Sequence, residues 1–275
     1  MDEWIIGGHV DTADPVGQTR ARGGNLAQVT LGDPQSWRAP HVDFPGEARE
    51  LRRAAEEAGI TLVVHAPFII NVASLNNRIR IPSRKLLQQT VSLAAEIGAM
   101  GVVVHGGHVR AGESVEKGQD NWRKAVDGLD LEVPLLLENT AGGEHAMART
   151  LERLAGTWQA IAAAEGSQRV GFCLDTCHGF AAGLAMDSLV ADVTAITGRI
   201  DLVHANDSQG PAGSGRDRHA NLGEGLAGLD AVATVVAGAG APVVVETPGD
   251  AEGQGRDIAR LREWLAGNGS QAPSN

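Results

Sequence analysis

VGFCLDTCHGF, residues 170–180, is an apolar run that ends in an aspartate, with a histidine three residues further on. Such a run does not alternate with polar residues, which is the mark of a strand buried on both faces. Asp175 and His178 thus fall where the strand would stop. The arrangement repeats in both directions. Upstream, TLVVHA from Thr61 closes on His65, GVVVHG from Gly101 on His105 and PLLLEN from Pro134 on Glu138. Downstream, IDLVHAND from Ile200 closes on His204 and PVVVET from Pro242 on Glu246. WIIGGHV from Trp4 and LAQVTL from Leu26 bring the runs to eight.

Between most of these runs lie segments with helical spacing and good helix formers: GEARELRRAAEEAG (46–59), SRKLLQQTVSLAAEIG (83–98) and MARTLERLAGTWQAIAAAE (147–165). Eight strands alternating with helices over 275 residues predict α/β architecture, a single (β/α)8 TIM barrel. Residues 1–266 are expected to form it, and the polar stretch 267–275 to fray as a tail. The 43% apolar content fills one core. With no apolar run of membrane-spanning length and no signal-peptide pattern, the chain reads as soluble and cytoplasmic, with no membrane partner.

In such a barrel the strand-end residues all lie on the carboxyl face, where TIM-barrel active sites are built. Asp217 and His219 in GRDRHANLGEG extend the set to nine: His65, His105, Glu138, Asp175, His178, His204, Asp217, His219 and Glu246. Singly, a strand-end His is most often structural, and a Glu there serves equally well as a cap. Nine in one kind of place change that reading. Imidazole mixed with carboxylate suits zinc or a similar divalent metal, with manganese and iron as competitors, and nine ligands fit two or three ions. Asp217 and His219 are one residue apart, so in extended backbone both face one ion while Arg218 points away. Cys173 reads as a small core hydrophobe, and Cys177 is not needed as a ligand. His41, His108 and His145 fall outside the pattern, and Glu224 receives no assignment.

The formal charge of −11 argues against a broad basic face. Four of the acids are candidate ligands, however, and three divalent ions would offset about half of that charge. Local basic groups are expected in loops on the catalytic side: Arg78, Arg80, Arg84 and Lys85 after strand three, Arg110 after strand four, Arg216 and Arg218 after strand seven. They are candidates for phosphate contacts.

Taken in order, HAPFIIN, HGGHV, ENTAG, CLDTCHGFAAG, HANDS, GSGRDRHANLGEG and VVET resemble the endonuclease IV family, metal-dependent apurinic/apyrimidinic endonucleases of base-excision repair. The likeness spans nearly the whole barrel, from IGGHV to Glu246. It implies three zinc ions: one on His65, His105 and Glu138, a second on Glu138, Asp175, His204 and Glu246, a third on His178, Asp217 and His219. Glu138 bridges, and Glu138 and Glu246 carry the catalytic role. His9 is implied as a phosphate contact or as a support to a ligand. The implied reaction is hydrolysis 5' to an abasic site in duplex DNA, leaving a 3'-OH and a 5'-deoxyribose phosphate, by a monomer with no obligate protein partner. The implied DNA contacts are Gln35, Phe68, Ile69, Arg216 and Arg218. Where many members carry an Arg two residues before a Trp and a Tyr after strand three, this chain has Gln35 and Phe68, so guanidinium charge is lost while a stacking ring remains. The alternative is a metal-dependent sugar isomerase or epimerase of the same barrel class, which has no need of Asp217, Arg218 and His219.

Overall fold

The computed structural model describes residues 4–268. In chain order the elements are β1 (Ile6–His9), α1 (Pro15–Ala21), β2 (Leu26–Val29), α2 (Glu47–Ala58), β3 (Thr61–His65), α3 (Asn77–Glu96), β4 (Val102–His105), α4 (Val115–Gly128) and β5 (Leu135–Glu138). They continue with α5 (Leu151–Ala162), β6 (Val170–Asp175), α6 (Thr176–Ala182), α7 (Leu189–Thr197), β7 (Leu202–His204), β8 (Asp207–Ser208), β9 (His219–Ala220), α8 (Leu229–Ala239), β10 (Val243–Val245) and α9 (Ala251–Gly267). Among the described residues, eight strands close a barrel in the order β1-β10-β7-β6-β5-β4-β3-β2, every neighbouring pair parallel. All eight apolar runs supply a barrel strand. The expected tail begins inside α9, and residues 269–275 lie outside the described residues. No helix among the described residues is long and apolar enough to cross a membrane.

The period of two along each strand sorts the core into two layers. Leu26, Val63, Val103, Leu136, Cys173, Leu202 and Val244 pack together inside the barrel. Their strand neighbours, such as Leu62, Val64, Val102, Leu135 and Phe172, pack in a larger cluster with helix residues including Leu86, Trp122 and Leu154. Gly7 on β1 permits closure, because a Cβ there would sit 1.6 Å from the Leu26 carbonyl oxygen.

Parity then fixes the site. Two residues beyond Val63, Val103, Leu136, Cys173, Leu202 and Val244 come His65, His105, Glu138, Asp175, His204 and Glu246. Six of the nine candidate ligands therefore share the interior face of their strands, at its carboxyl end.

One expectation fails. The helix after β3 does not begin at Ser83; it starts at Asn77, capped by Asn76 accepting from the Arg78 N–H, and continues through Pro82. Proline removes one intrahelical donor, a local cost that the burial of Leu86, Leu87 and Val91 against the barrel outweighs. Arg78, Arg80, Arg84 and Lys85 are therefore helical rather than in a loop. Arg80 donates to the Ser74 carbonyl and Arg84 to that of Asn121, so both serve packing of this face. The antiparallel pair β8–β9 has no counterpart among the apolar runs; it joins Asp207 to Ala220 and Ser208 to His219.

Candidate metal centre

Glu138, wholly buried at the end of β5, is the hub. Its Oε2 lies 3.3 Å from His65 Nε2 and 3.1 Å from His105 Nε2. Its Oε1 lies 2.9 Å from His204 Nδ1 and 3.4 Å from His178 Nδ1. Across the barrel, Glu246 Oε2 stands 3.3 Å from His204 Nδ1 and Asp175 Oδ2 3.8 Å from the same nitrogen. On the solvent side, Asp217 places Oδ2 3.2 Å from His178 Nε2 and Oδ1 3.2 Å from His219 Nε2.

Three sets of ligand atoms result, each within 4.8 Å: His65, His105 and Glu138; Glu138, Asp175, His204 and Glu246; and His178, Asp217 and His219. All nine sequence candidates are thus brought together, in the three groups the resemblance implies. Donor chemistry and spacing both fit divalent ions. Two ligands about 2.0–2.1 Å from a tetrahedral ion stand about 3.3 Å apart, close to most of these separations. His219 Nε2 supplies an independent sign: it is buried, faces Asp217 and Asp175, and makes no hydrogen bond to either. Cys173 and Cys177 also approach ligand sets. Burial pushes both thiols up to about 12, which keeps them protonated and poor ligands.

Neighbouring groups orient these side chains through hydrogen bonds to the outward ring nitrogens and to the carboxylate oxygens. His65 Nδ1 pairs with the Ala66 carbonyl at 2.8 Å, and His219 Nδ1 with that of Glu246 at 3.1 Å. Asp175 caps α6, its Oδ1 accepting from the His178 N–H at 2.7 Å, while Asn206 donates to its Oδ2 at 2.8 Å. Asn139 exchanges two hydrogen bonds with the Asp175 backbone. The β8–β9 hairpin that carries His219 is held from below by Asp207, whose buried carboxylate accepts backbone N–H groups of Gly223, Gly225, Ala227 and Gly228. A Cβ at Gly225 would come 2.5 Å from that carboxylate, so the close wrap needs glycine. None of Gln28, Asn139, Asn206 or Asp207 stands out in the sequence as a site residue. Three of them are polar residues directly after or between ligand positions, and that adjacency is the available signal.

The charges are mutually dependent. Burial opposes ionisation of Glu138, but His105 and His204 outweigh it and hold the carboxyl well below its ordinary range. Glu246 is likewise held at about 2, burial being overcome by His204 and His65. Burial disfavours charge on His219 too, yet Asp217, Asp175 and Glu246 raise it to about 9. His9 is the exception: burial lowers it to about 4, with Glu246 only partly compensating.

Above the centre is a cavity of about 310 Å³ lined by His9, His65, Phe68, His105, Asp217 and Glu246 among others. A wider groove of about 690 Å³ adjoins it, with Trp37, Phe68, Ile69, His108 and Arg110 in its walls. Phe68 is 56% exposed although its ring centroid lies 5.2 Å from that of His65 and 5.7 Å from that of His105. Asn71 ties the loop after β3 to the one after β4, donating to the His108 carbonyl and accepting from its N–H. Gln35 is exposed, and it is Trp37 that reaches the groove. Arg216 and Arg218 are exposed; Arg218 donates to the Asp217 carbonyl at 2.7 Å.

Residues 18–266 match the family described as a xylose isomerase-like TIM barrel. The probable endonuclease 4 of Mycobacterium tuberculosis (strain ATCC 25177 / H37Ra) is 52% identical over 259 residues, covering 94% of this chain and 98% of that protein. The corresponding protein of Mycobacterium leprae (strain TN) is 51% identical over 263 residues, covering 96% and 100%. The crystal structure of endonuclease IV from Thermus thermophilus matches with a TM-score of 0.80 at 29% identity, over 95% of this chain and 99% of that one. The chain belongs to the xylose isomerase-like TIM-barrel family and, within it, to the endonuclease IV enzymes.

Proposed function

We propose that this enzyme is an apurinic/apyrimidinic endonuclease of DNA repair, hydrolysing the phosphodiester 5' to an abasic site in duplex DNA and leaving a 3'-OH and a 5'-deoxyribose phosphate. The observation that carries this is the joining of three ligand sets into one cluster through Glu138 and the adjacent barrel ends. Three divalent ions, zinc foremost, would be held by His65, His105 and Glu138; by Glu138, Asp175, His204 and Glu246; and by His178, Asp217 and His219. Bound there, such ions supply Lewis-acid activation of water and neutralise charge on phosphoryl oxygens.

The chain's own groups do the rest. Glu138 holds the sets at a fixed separation from within the barrel. Glu246 lines the cavity, where its carboxylate orients water against the scissile phosphate. His9 lines the same cavity as a neutral hydrogen-bonding group, since burial keeps its pKa at about 4. Phe68 and Trp37 present apolar surface in the groove and fill space where a base is missing, with Ile69 lining the same groove. Arg110 in the groove wall, with Arg216 and Arg218 on the exposed loop, supplies phosphate contacts for an otherwise acidic protein, which acts as a monomer.

A sugar isomerase or epimerase needs a Glu, Asp, His and Glu set but has no use for His178, Asp217 and His219 as a further one. Incubation of the metal-loaded protein with a duplex bearing a single abasic analogue, followed by end-group analysis, decides the reaction. A 3' end that a polymerase extends directly is expected. An unsaturated aldehyde on that end, or a borohydride-trapped lysine adduct, would mean β-elimination and defeat the proposal.

A further inference from the structure

Gln28 lies on β2 with no solvent exposure, two residues beyond Leu26 and so on the same interior face. A polar amide in that layer must be fully satisfied or costs stability. Here three of its four hydrogen-bonding directions, both donors among them, are taken by the site. Its Oε1 lies 2.8 Å from His204 Nε2, while its Nε2 lies 2.6 Å from Glu246 Oε1 and 3.1 Å from His9 Nδ1. The amide cannot be reversed, because that would set an amide oxygen 2.6 Å from a carboxylate oxygen, acceptor against acceptor.

This one orientation decides three others. His204 must donate from Nε2, which leaves Nδ1 as its ligand atom, the nitrogen that faces Glu138, Glu246 and Asp175. Glu246 has Oε1 engaged and Oε2 directed at His204. His9 must accept at Nδ1, so its single proton sits on Nε2. We propose that Gln28 is a positioning residue of the metal centre, whose amide presents Nδ1 of His204 and Oε2 of Glu246 to an ion and makes His9 an Nε2–H donor at the cavity wall. The inference rests on the reading that these ligands hold divalent ions.

The test uses the full chain loaded with zinc, comparing wild type with Gln28→Met, which keeps the volume without the amide, and Gln28→Glu, which cannot donate to Glu246. Zinc affinity is read by chelator competition and ring protonation by 15N NMR of the imidazoles. Expected are a slowly exchanging His204 Nε2–H and a His9 unprotonated at Nδ1 in wild type, loss of the first signal in Gln28→Met but not in Gln28→Glu, whose carboxylate still accepts from His204, and zinc affinity about 10–100-fold weaker in each. Wild-type affinity in Gln28→Met, or a wild-type His9 with its proton on Nδ1, would overturn the assignment. If neither variant folds, the wild-type spectrum still decides. A wild-type chain that takes up no zinc would sink the metal reading instead, while the His9 signal in that protein would still report on Gln28.

Discussion

Glu138 Oε1 lies 2.9 Å from His204 Nδ1, two wholly buried groups 66 residues apart in sequence. An ionised carboxylate without solvent is costly unless paired. Glu138 is surrounded by His65, His105 and His178 as well, all with a ring nitrogen within 3.4 Å. It is the one side chain common to two of the three ligand sets.

Glu138→Gln should therefore remove more metal than any single histidine substitution. Elemental analysis after gentle purification is expected to find three ions per chain in the wild type and at most one in the variant, with His65→Ala intermediate. Equal losses in the two variants would show that Glu138 does not link the sets.

Metal-free protein should respond to pH through the same groups. His219, raised from 6.5 to about 9, contributes stability that is fully present below pH 6.5 and lost as pH rises through about 9. Glu246, lowered from 4.5 to about 2, contributes stability present above pH 4.5 and lost as pH falls through about 2. The chelated protein should then lose thermal stability between pH 6.5 and 9, while zinc binding, which needs neutral imidazole, should strengthen over the same interval. Calorimetry of zinc uptake in buffers of different ionisation enthalpy should register proton release at about pH 7. No proton release would show that His219 is already neutral in the metal-free site.

The barrel and six of its nine candidate ligands are readable because one rule, period two along a buried strand, both writes the apolar run and aims the residue at its end. His65 after Val63 and Glu246 after Val244 are instances. His178, Asp217 and His219 lie beyond the barrel strands and are read from their place in the motifs. Gln28 is not readable in this way: in LAQVTL it looks like a polar residue on a strand, and its three partners come from β1, β7 and the end of β10, distant in sequence. Asp207 is hidden for a related reason, since its partners are backbone N–H groups and carry no residue signature. The start of α3 differs from expectation because Pro82 is a strong local breaker, whereas the apolar face that keeps the helix continuous is a tertiary effect.

Leu136→Ala tests the interior layer that supports the hub. Leu136 is 2% exposed among Val63, Val103 and Cys173, and Glu138 stands two residues further along β5. Truncation there should cost about 2–5 kcal/mol in chemical denaturation. A change below about 1 kcal/mol would mean that the layer collapses around the void without strain.

Arg218→Ala should raise KM for an abasic duplex, by a factor that shrinks as salt increases, and leave metal content unchanged. The guanidinium donates to the Asp217 carbonyl rather than to the carboxylate, so the ligand oxygens keep their direction without it. Loss of one ion in this variant would reassign Arg218 from phosphate contact to support of Asp217.

Phe68 combines exposure with position: it is among the few large apolar side chains left open to solvent, and its ring stands beside His65 and His105 at the junction of cavity and groove. A ring so placed can occupy the gap left by a missing base, a contact worth about 1–3 kcal/mol in comparable base–aromatic stacking. Phe68→Ala should weaken binding to an uncleavable abasic duplex by that amount, read by fluorescence anisotropy, with little change in binding to intact duplex. Gln35→Arg should tighten binding to both duplexes, because it adds a guanidinium to an exposed loop near Trp37 without touching any ligand, and single-turnover cleavage at saturating enzyme should stay near the wild-type rate. An unaltered dissociation constant for Phe68→Ala would remove the ring from lesion recognition. Slower chemistry in Gln35→Arg would instead show that this loop sets the position of the scissile phosphate over Glu246.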